Sequence, residues 1–164
     1  MEIENVEVDR LSFTTAKPFE AVVAALKSTV GQPDIVAFFA ASRASSSLAE
    51  LERVVQGALG DTGLMLFAEF DLGAVLRHES HSKSSNSIRF VVGNPLIMKE
   101  MVRHVPDAGS YAPVTILIDE RPDGVHLSYD TMESYLLPYR NSDALAVARS
   151  LDAKITTLLR ECAN

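Results

Sequence analysis

Residues 88–130, IRFVVGNPLIMKEMVRHVPDAGSYAPVTILIDERPDGVHLSYD, decide the fold. Ile88, Phe90 and Val92 alternate with Arg89 and Val91, the two-residue period of a strand. Gly93-Asn94-Pro95 ends it. Asn is a favoured N-cap, and Pro suits the first helical position, where its missing N–H would be unpaired in any case. A helix is therefore predicted from Pro95, with Ile97, Met101, Val102 and Val105 on one face and Pro106 and Gly109 as stops. Val114–Ile118 is almost continuously apolar, the pattern of a strand that is centrally placed or covered on both faces. Arg121-Pro122-Asp123-Gly124 supplies hairpin-turn chemistry. Val125, Leu127 and Tyr129 then alternate with His126, Ser128 and Asp130 as a half-buried return strand. A side chain at Gly93 is expected to destabilise the turn if its φ is positive.

Toward the N-terminus, Val6 and Val8 alternate with Glu7 and Asp9, and Leu11 and Phe13 continue in the opposite phase. That slip predicts a first strand with a bulge near Asp9-Arg10. Pro18 opens a helix whose stripe is Phe19, Val22, Val23, Leu26 and Val30, stopped by Gly31. An inserted helical segment is predicted around residues 33–60: Asp34 caps a short helix, and Ser47-x-x-Glu50 is a capping box before Leu48, Leu51, Val55 and Leu59. The apolar run Ile35–Ala41 either packs on the core or forms a pocket lid or dimer contact. Leu64–Phe70 reads as the second strand. Asp71–Leu76 shows no helical stripe, and the serine-rich Arg77–Asn86 reads as a mobile loop. Beyond Asp130, Thr131–Pro138 is too short for a long helix. Asn141 or Ser142 caps a C-terminal helix with Leu145, Ala148, Leu151, Ile155, Leu158 and Leu159 buried.

The succession of Gly93-Asn94-Pro95, Pro113, Asp123-Gly124 and Ser128-Tyr129-Asp130 resembles the family called domain of unknown function 302. The match spans roughly a quarter of the chain. The resemblance implies a small α+β domain with helices on one face of the sheet, frequently paired into dimers. It implies no catalytic residues, and relative to the family the segment after the second strand departs from a helix. The element order itself favours α+β over a doubly wound parallel sheet. A single domain over 1–164 is expected, with a mainly antiparallel sheet of about five strands.

The 164 residues are 47% hydrophobic and 23% charged, an ordinary globular balance, with a net charge of −7. That charge and the absence of any basic cluster argue against nucleic acid and anionic membrane as partners. MEIENVEVD lacks an apolar leader core, and no run approaches the roughly 20 residues of a membrane span, so a cytoplasmic protein is expected. The lone Cys162 cannot form an internal disulfide and is expected to be a spare thiol on a fraying terminus.

Three groups of residues bear on chemistry. His78 and His81 are three apart and His104 could join them, but zinc requires three or four converging donors, and a solvated loop is the favoured reading; no metal and no cofactor are expected. Gly93-Asn94-Pro95 offers helix N-terminal N–H groups to an anion, against the plainer reading of a capped turn, and lacks a P-loop's Lys-Ser/Thr. Tyr129, Asp130, Glu133 and Tyr135 gather polar groups where a strand ends, a common place for a pocket. The expected function is a small-molecule-binding module with a pocket walled by Tyr111, Tyr129 and Asp130, floored by Asn94, with Glu133 nearby. The alternative is a small cofactor-independent enzyme using a carboxylate, Asp130 or Glu133, and a tyrosine for acid–base work. Apolar residues on both parities of two strands (Leu64 and Leu66 against Met65 and Phe67; Val114, Ile116 and Ile118 against Leu117) predict a second apolar sheet face. Either the inserted segment Ile35–Leu59 covers it internally or a second copy does, and the family resemblance favours a homodimer whose interface includes sheet residues or the inserted helices.

Overall fold

The computed structural model describes residues 5–78 and 86–164. Strands β1 (Arg10–Thr15), β2 (Met65–Asp71), β3 (Ser87–Gly93), β4 (Val114–Arg121) and β5 (Gly124–Asp130) form one antiparallel sheet in the order β1-β5-β4-β3-β2. The apolar β4 is thus the central strand. Only one of its faces is covered: Val114, Ile116 and Ile118 are buried, while Thr115 is exposed. The β4–β5 hairpin pairs Arg121 with Gly124, whose φ of 135° few side-chain-bearing residues adopt.

The covered face carries α1 (Phe19–Thr29), α5 (Pro95–Val102), α6 (Met132–Leu136) and the long α7 (Ser142–Ala163). Their stripes bury Val22, Leu26, Met101, Ala148, Leu151 and Ile155 against Phe90, Ile116 and Leu127. Two of the starts, α5 and α7, are capped as the sequence indicates: Asn94 Oδ1 accepts from Leu96 N at 2.8 Å, and Asn141 Oδ1 from Ala144 N at 2.9 Å.

The insertion is a helical hairpin, α2 (Ile35–Ala44) and α3 (Leu48–Ala58), with its own small core of Phe38, Val55, Ala58 and Met65. Asp34 caps α2 through Val36 N and Ala37 N. Ser47 Oγ accepts from Glu50 N, but the Glu50 carboxylate turns to Ser46 N and Ser46 Oγ rather than to Ser47 N. The hairpin leaves and rejoins the framework at one point. Gly31 N and Gly60 N both donate to Leu64 O, at 2.9 and 3.0 Å. A β-carbon on Gly31 would lie 1.9 Å from Ala58 O, and one on Gly60 would lie 2.5 Å from Thr29 O, so backbone passes backbone there with no room for side chains.

Several expectations are corrected. Residues 5–9 are not a strand, because the partner strand β5 ends at Asp130, opposite Arg10, and nothing remains for them to pair with. Asp9 O accepts from Thr131 N at 2.9 Å. Asp71 caps a short α4 (Leu72–Leu76) by accepting from Ala74 N, so a helical turn does follow β2. Residues 79–85 of the expected mobile loop, His81 included, lie outside the described residues. The C-terminus does not fray: α7 runs through Ala163 and Cys162 is in the core. Gly93 has no positive φ; its constraint is Pro113, whose Cβ would lie 3.0 Å from an added β-carbon.

The second sheet face also differs from expectation. It presents Arg10, Ser12 and Thr14 from β1, His126, Ser128 and Asp130 from β5, and Thr115 and Asp119 from β4. Its apolar side chains are Leu117, Val91, Ala68 and Phe70, with Phe70 lying under the Arg89 guanidinium at 4.7 Å, and Met65, opposite Gly93, which the inserted hairpin buries beneath Phe38, Val55 and Ala58. A bulge between Leu66 and Ala68 in β2 breaks the parity on which a continuous apolar face would rest.

Candidate functional site

Antiparallel register brings together two residues 120 positions apart. Arg10 opens β1 opposite Asp130, the last residue of β5, and its guanidinium grips the carboxylate with both arms, Nε–Oδ1 2.6 Å and Nη2–Oδ2 2.8 Å. Immediately beyond, Thr131 caps α6, which turns Tyr135 back so that its hydroxyl donates to Asp130 Oδ2 at 3.4 Å. The Tyr135 ring stacks on Tyr111, centroids 4.5 Å apart and planes 8° from parallel. Tyr111 itself follows a 3-10 turn at Pro106–Ser110. Its hydroxyl meets that of Tyr139 at 3.5 Å.

These residues edge a cleft of about 410 Å³ that reaches across the polar sheet face to Thr115, Leu117, Ser128 and Arg89, with Leu72 of α4 at its far side. The lining carries two guanidiniums and one carboxylate. Arg10 already neutralises Asp130, whereas among the described residues no carboxylate pairs with Arg89. The Arg10 hydrogen bonds and charge hold the Asp130 carboxyl below the usual range. Burial, then the neighbouring Asp130 charge, pushes the Tyr135 hydroxyl up.

Tyr129 touches the cleft but points away from it. Its side chain is 1% exposed, and its hydroxyl donates to Asp152 Oδ1 at 2.5 Å. Asp152 also accepts from Met132 N at 2.8 Å and Glu133 N at 2.9 Å, so one buried carboxylate anchors both Tyr129 and the start of α6. Burial raises the Asp152 pKa despite those donors, and the same burial, beside the Asp152 charge, drives the Tyr129 hydroxyl far above its ordinary value.

Of the five residues singled out, Tyr111, Tyr129 and Asp130 meet at this cleft. Glu133 is outside it, paired with Arg149 at 2.7 Å. Asn94 lines a different cavity, and both ends of its amide are occupied, by Leu96 N and Gly63 O. Among the described residues, no three His, Cys, Asp or Glu converge as a metal site. The sequence reading missed Arg10, Arg89 and Asp152. Only Asp152 left a signal: it stands four residues after Ala148 and three before Ile155, a charge on the apolar stripe of α7. Among the described residues no helix is long and apolar enough to cross a membrane.

The family model described as domain of unknown function DUF302 matches residues 40–162. The fold is similar to the crystal structure of an uncharacterized conserved DUF302 protein from Bacillus stearothermophilus, with a TM-score of 0.64 at 10% sequence identity, covering 93% of this chain and 97% of that one. That likeness covers more of the chain than the family model matches. No curated protein matches the sequence.

Proposed function

Because the chain belongs to the DUF302 family, whose function is unknown, we propose a reading from its own geometry: a small-molecule-binding module whose cleft takes a small planar carboxylate. The observation that carries the proposal is Arg89, a guanidinium with no carboxylate partner among the described residues, which lines the cleft together with Thr115 and Ser128. In a chain of net charge −7 such a cation is a specific attraction for an anion, since a guanidinium matches a carboxylate bidentately. The Tyr111–Tyr135 stack adds an aromatic wall for the planar part.

The acid–base alternative has less support. A general base needs a pKa drawn toward neutrality, and Asp130 is shifted the other way, while Tyr135 is made harder to ionise. Benzoate is a suitable probe. Calorimetric titration is expected to give saturable binding that Arg89→Gln weakens at least tenfold; absence of binding, or binding indifferent to Arg89→Gln, would refute the proposal.

We extend the proposal to a homodimer formed through β2 and α4, where Phe70, Leu72, Val75 and Leu76 are exposed side by side in sequence, Val75 by 71%. A two-fold interface is the commonest cover for such a patch. Light scattering at micromolar concentration is expected to give twice the 17.8 kDa chain mass.

A further inference from the structure

A second cavity, of about 380 Å³, lies between the inserted hairpin and α5. Phe38, Phe39 and Ser42 of α2 and Leu51 of α3 face Phe67 and Met98 of the framework across it. Apart from Ser42 and Asn94 every lining side chain is apolar, and the Asn94 amide is already satisfied. Ser42 Oγ is not. It is buried with no hydrogen-bond partner, the one such side-chain atom among the described residues. The rings form a partial cage: Phe38 meets Phe67 edge-on, centroids 6.4 Å apart at 90°, and Phe39 at 5.5 Å. Phe39 is nevertheless 44% exposed.

An apolar chamber with one unpaired hydroxyl specifies its occupant by exclusion. No charged side chain lines it, so an ion would lose its hydration without compensation. A purely hydrocarbon occupant would leave Ser42 Oγ unpaired, and a hydroxyl both donates and accepts. The volume is that of a site for a molecule at the small end of drug size. We propose that this cavity binds a compact, uncharged lipophilic molecule with one hydrogen-bonding group, held by the phenylalanine cage and oriented by Ser42 Oγ. The site is separate from the carboxylate cleft.

The test uses the whole chain with N-phenyl-1-naphthylamine, whose fluorescence rises in apolar surroundings, displaced by 4-propylphenol or propylbenzene. One saturable site per chain is expected. Ser42→Ala should weaken 4-propylphenol on the order of fivefold, the scale of one neutral hydrogen bond, and leave propylbenzene unchanged. Leu51→Trp, which fills the chamber from α3, should abolish probe binding with the circular dichroism unaltered and with benzoate binding intact. Should that variant fail to fold, Met98→Trp fills the chamber from the other wall and decides. Non-saturable probe binding, or wild-type binding in a folded filled variant, overturns the proposal. So does a Ser42→Ala variant that loses both ligands equally.

Discussion

Asp152 is, among the described residues, the one buried carboxylate, and three donors depend on it. Asp152→Ala leaves the Tyr129 O–H and the Glu133 N–H without their acceptor, and the Met132 N–H with only the Tyr129 hydroxyl oxygen at 3.2 Å, so a loss of roughly 2–4 kcal/mol is expected in urea denaturation, at the scale of buried unsatisfied donors. Tyr129→Phe in the same background should add little, since the two share one interaction. The pH dependences of the two aspartates oppose each other. Asp152 has a raised folded pKa, so its contribution is most favourable at low pH and declines as pH rises from about 3.9, the unfolded value, through the folded one. Asp130 has a lowered folded pKa, so its pairing with Arg10 stabilises above about 3.9 and is lost as pH falls through the folded value. Carboxyl titration by NMR is expected to place Asp130 low, and Arg10→Ala to return it toward the ordinary range. Cys162 behaves as a core residue: burial pushes its thiol up to about 11, so alkylation at pH 8 should be slow in the native state and fast in urea.

At the scale of elements, short-range chemistry was legible in the sequence and long-range pairing was not. The Asn94 and Asn141 caps, the Pro122-Asp123 turn and the stripe of α7 each depend on residues within one or two turns of one another. Asn94→Ala is expected to cost about 1 kcal/mol as a lost cap, with a further loss from its bond to Gly63 O, readable as a lower thermal midpoint. The start of β1 was misplaced because a strand ends where its partner does, and the end of β5 is fixed by Thr131 capping α6, far along the chain. The helical turn of α4 was overlooked because five residues show no period, although Asp71 was there to cap it. Gly93 was identified as critical for the wrong reason: the obstacle is Pro113 across the β3–β4 ladder and not the backbone angle. Gly93→Val should still lower the thermal midpoint, by crowding Pro113.

For the molecule as a whole, the two cavities explain why the candidate site was only half legible. Tyr111, Tyr129 and Asp130 announced themselves as polar groups clustered around one strand end. Arg10 and Arg89 are ordinary surface arginines until the register of four strands sets them around the same cleft. Asn94 was assigned to that cleft as a helix-start turn offering N–H groups, yet Pro113 and Val114 stand between it and the polar side as a wall shared by both cavities. Apolar residues on both parities of β2 and β4, with the family resemblance, prompted the expectation of a dimer, and the contact proposed for it rests on the exposed Phe70, Leu72, Val75 and Leu76. Val75→Asp places a charge in that patch and should shift light scattering from dimer to monomer without altering the thermal midpoint of the monomer fold.

The meeting of Gly31 and Gly60 makes the helical hairpin a side branch of the chain, one that leaves the trunk and returns to it without displacing any strand. The two ends of the branch already lie together on one carbonyl, so a short bridge can close the trunk without it. A shortened gene joining residue 31 to residue 60 through a brief glycine bridge should therefore encode a folded protein that keeps the cleft and lacks the phenylalanine chamber. The chamber would leave with the branch, while the cleft belongs to the trunk.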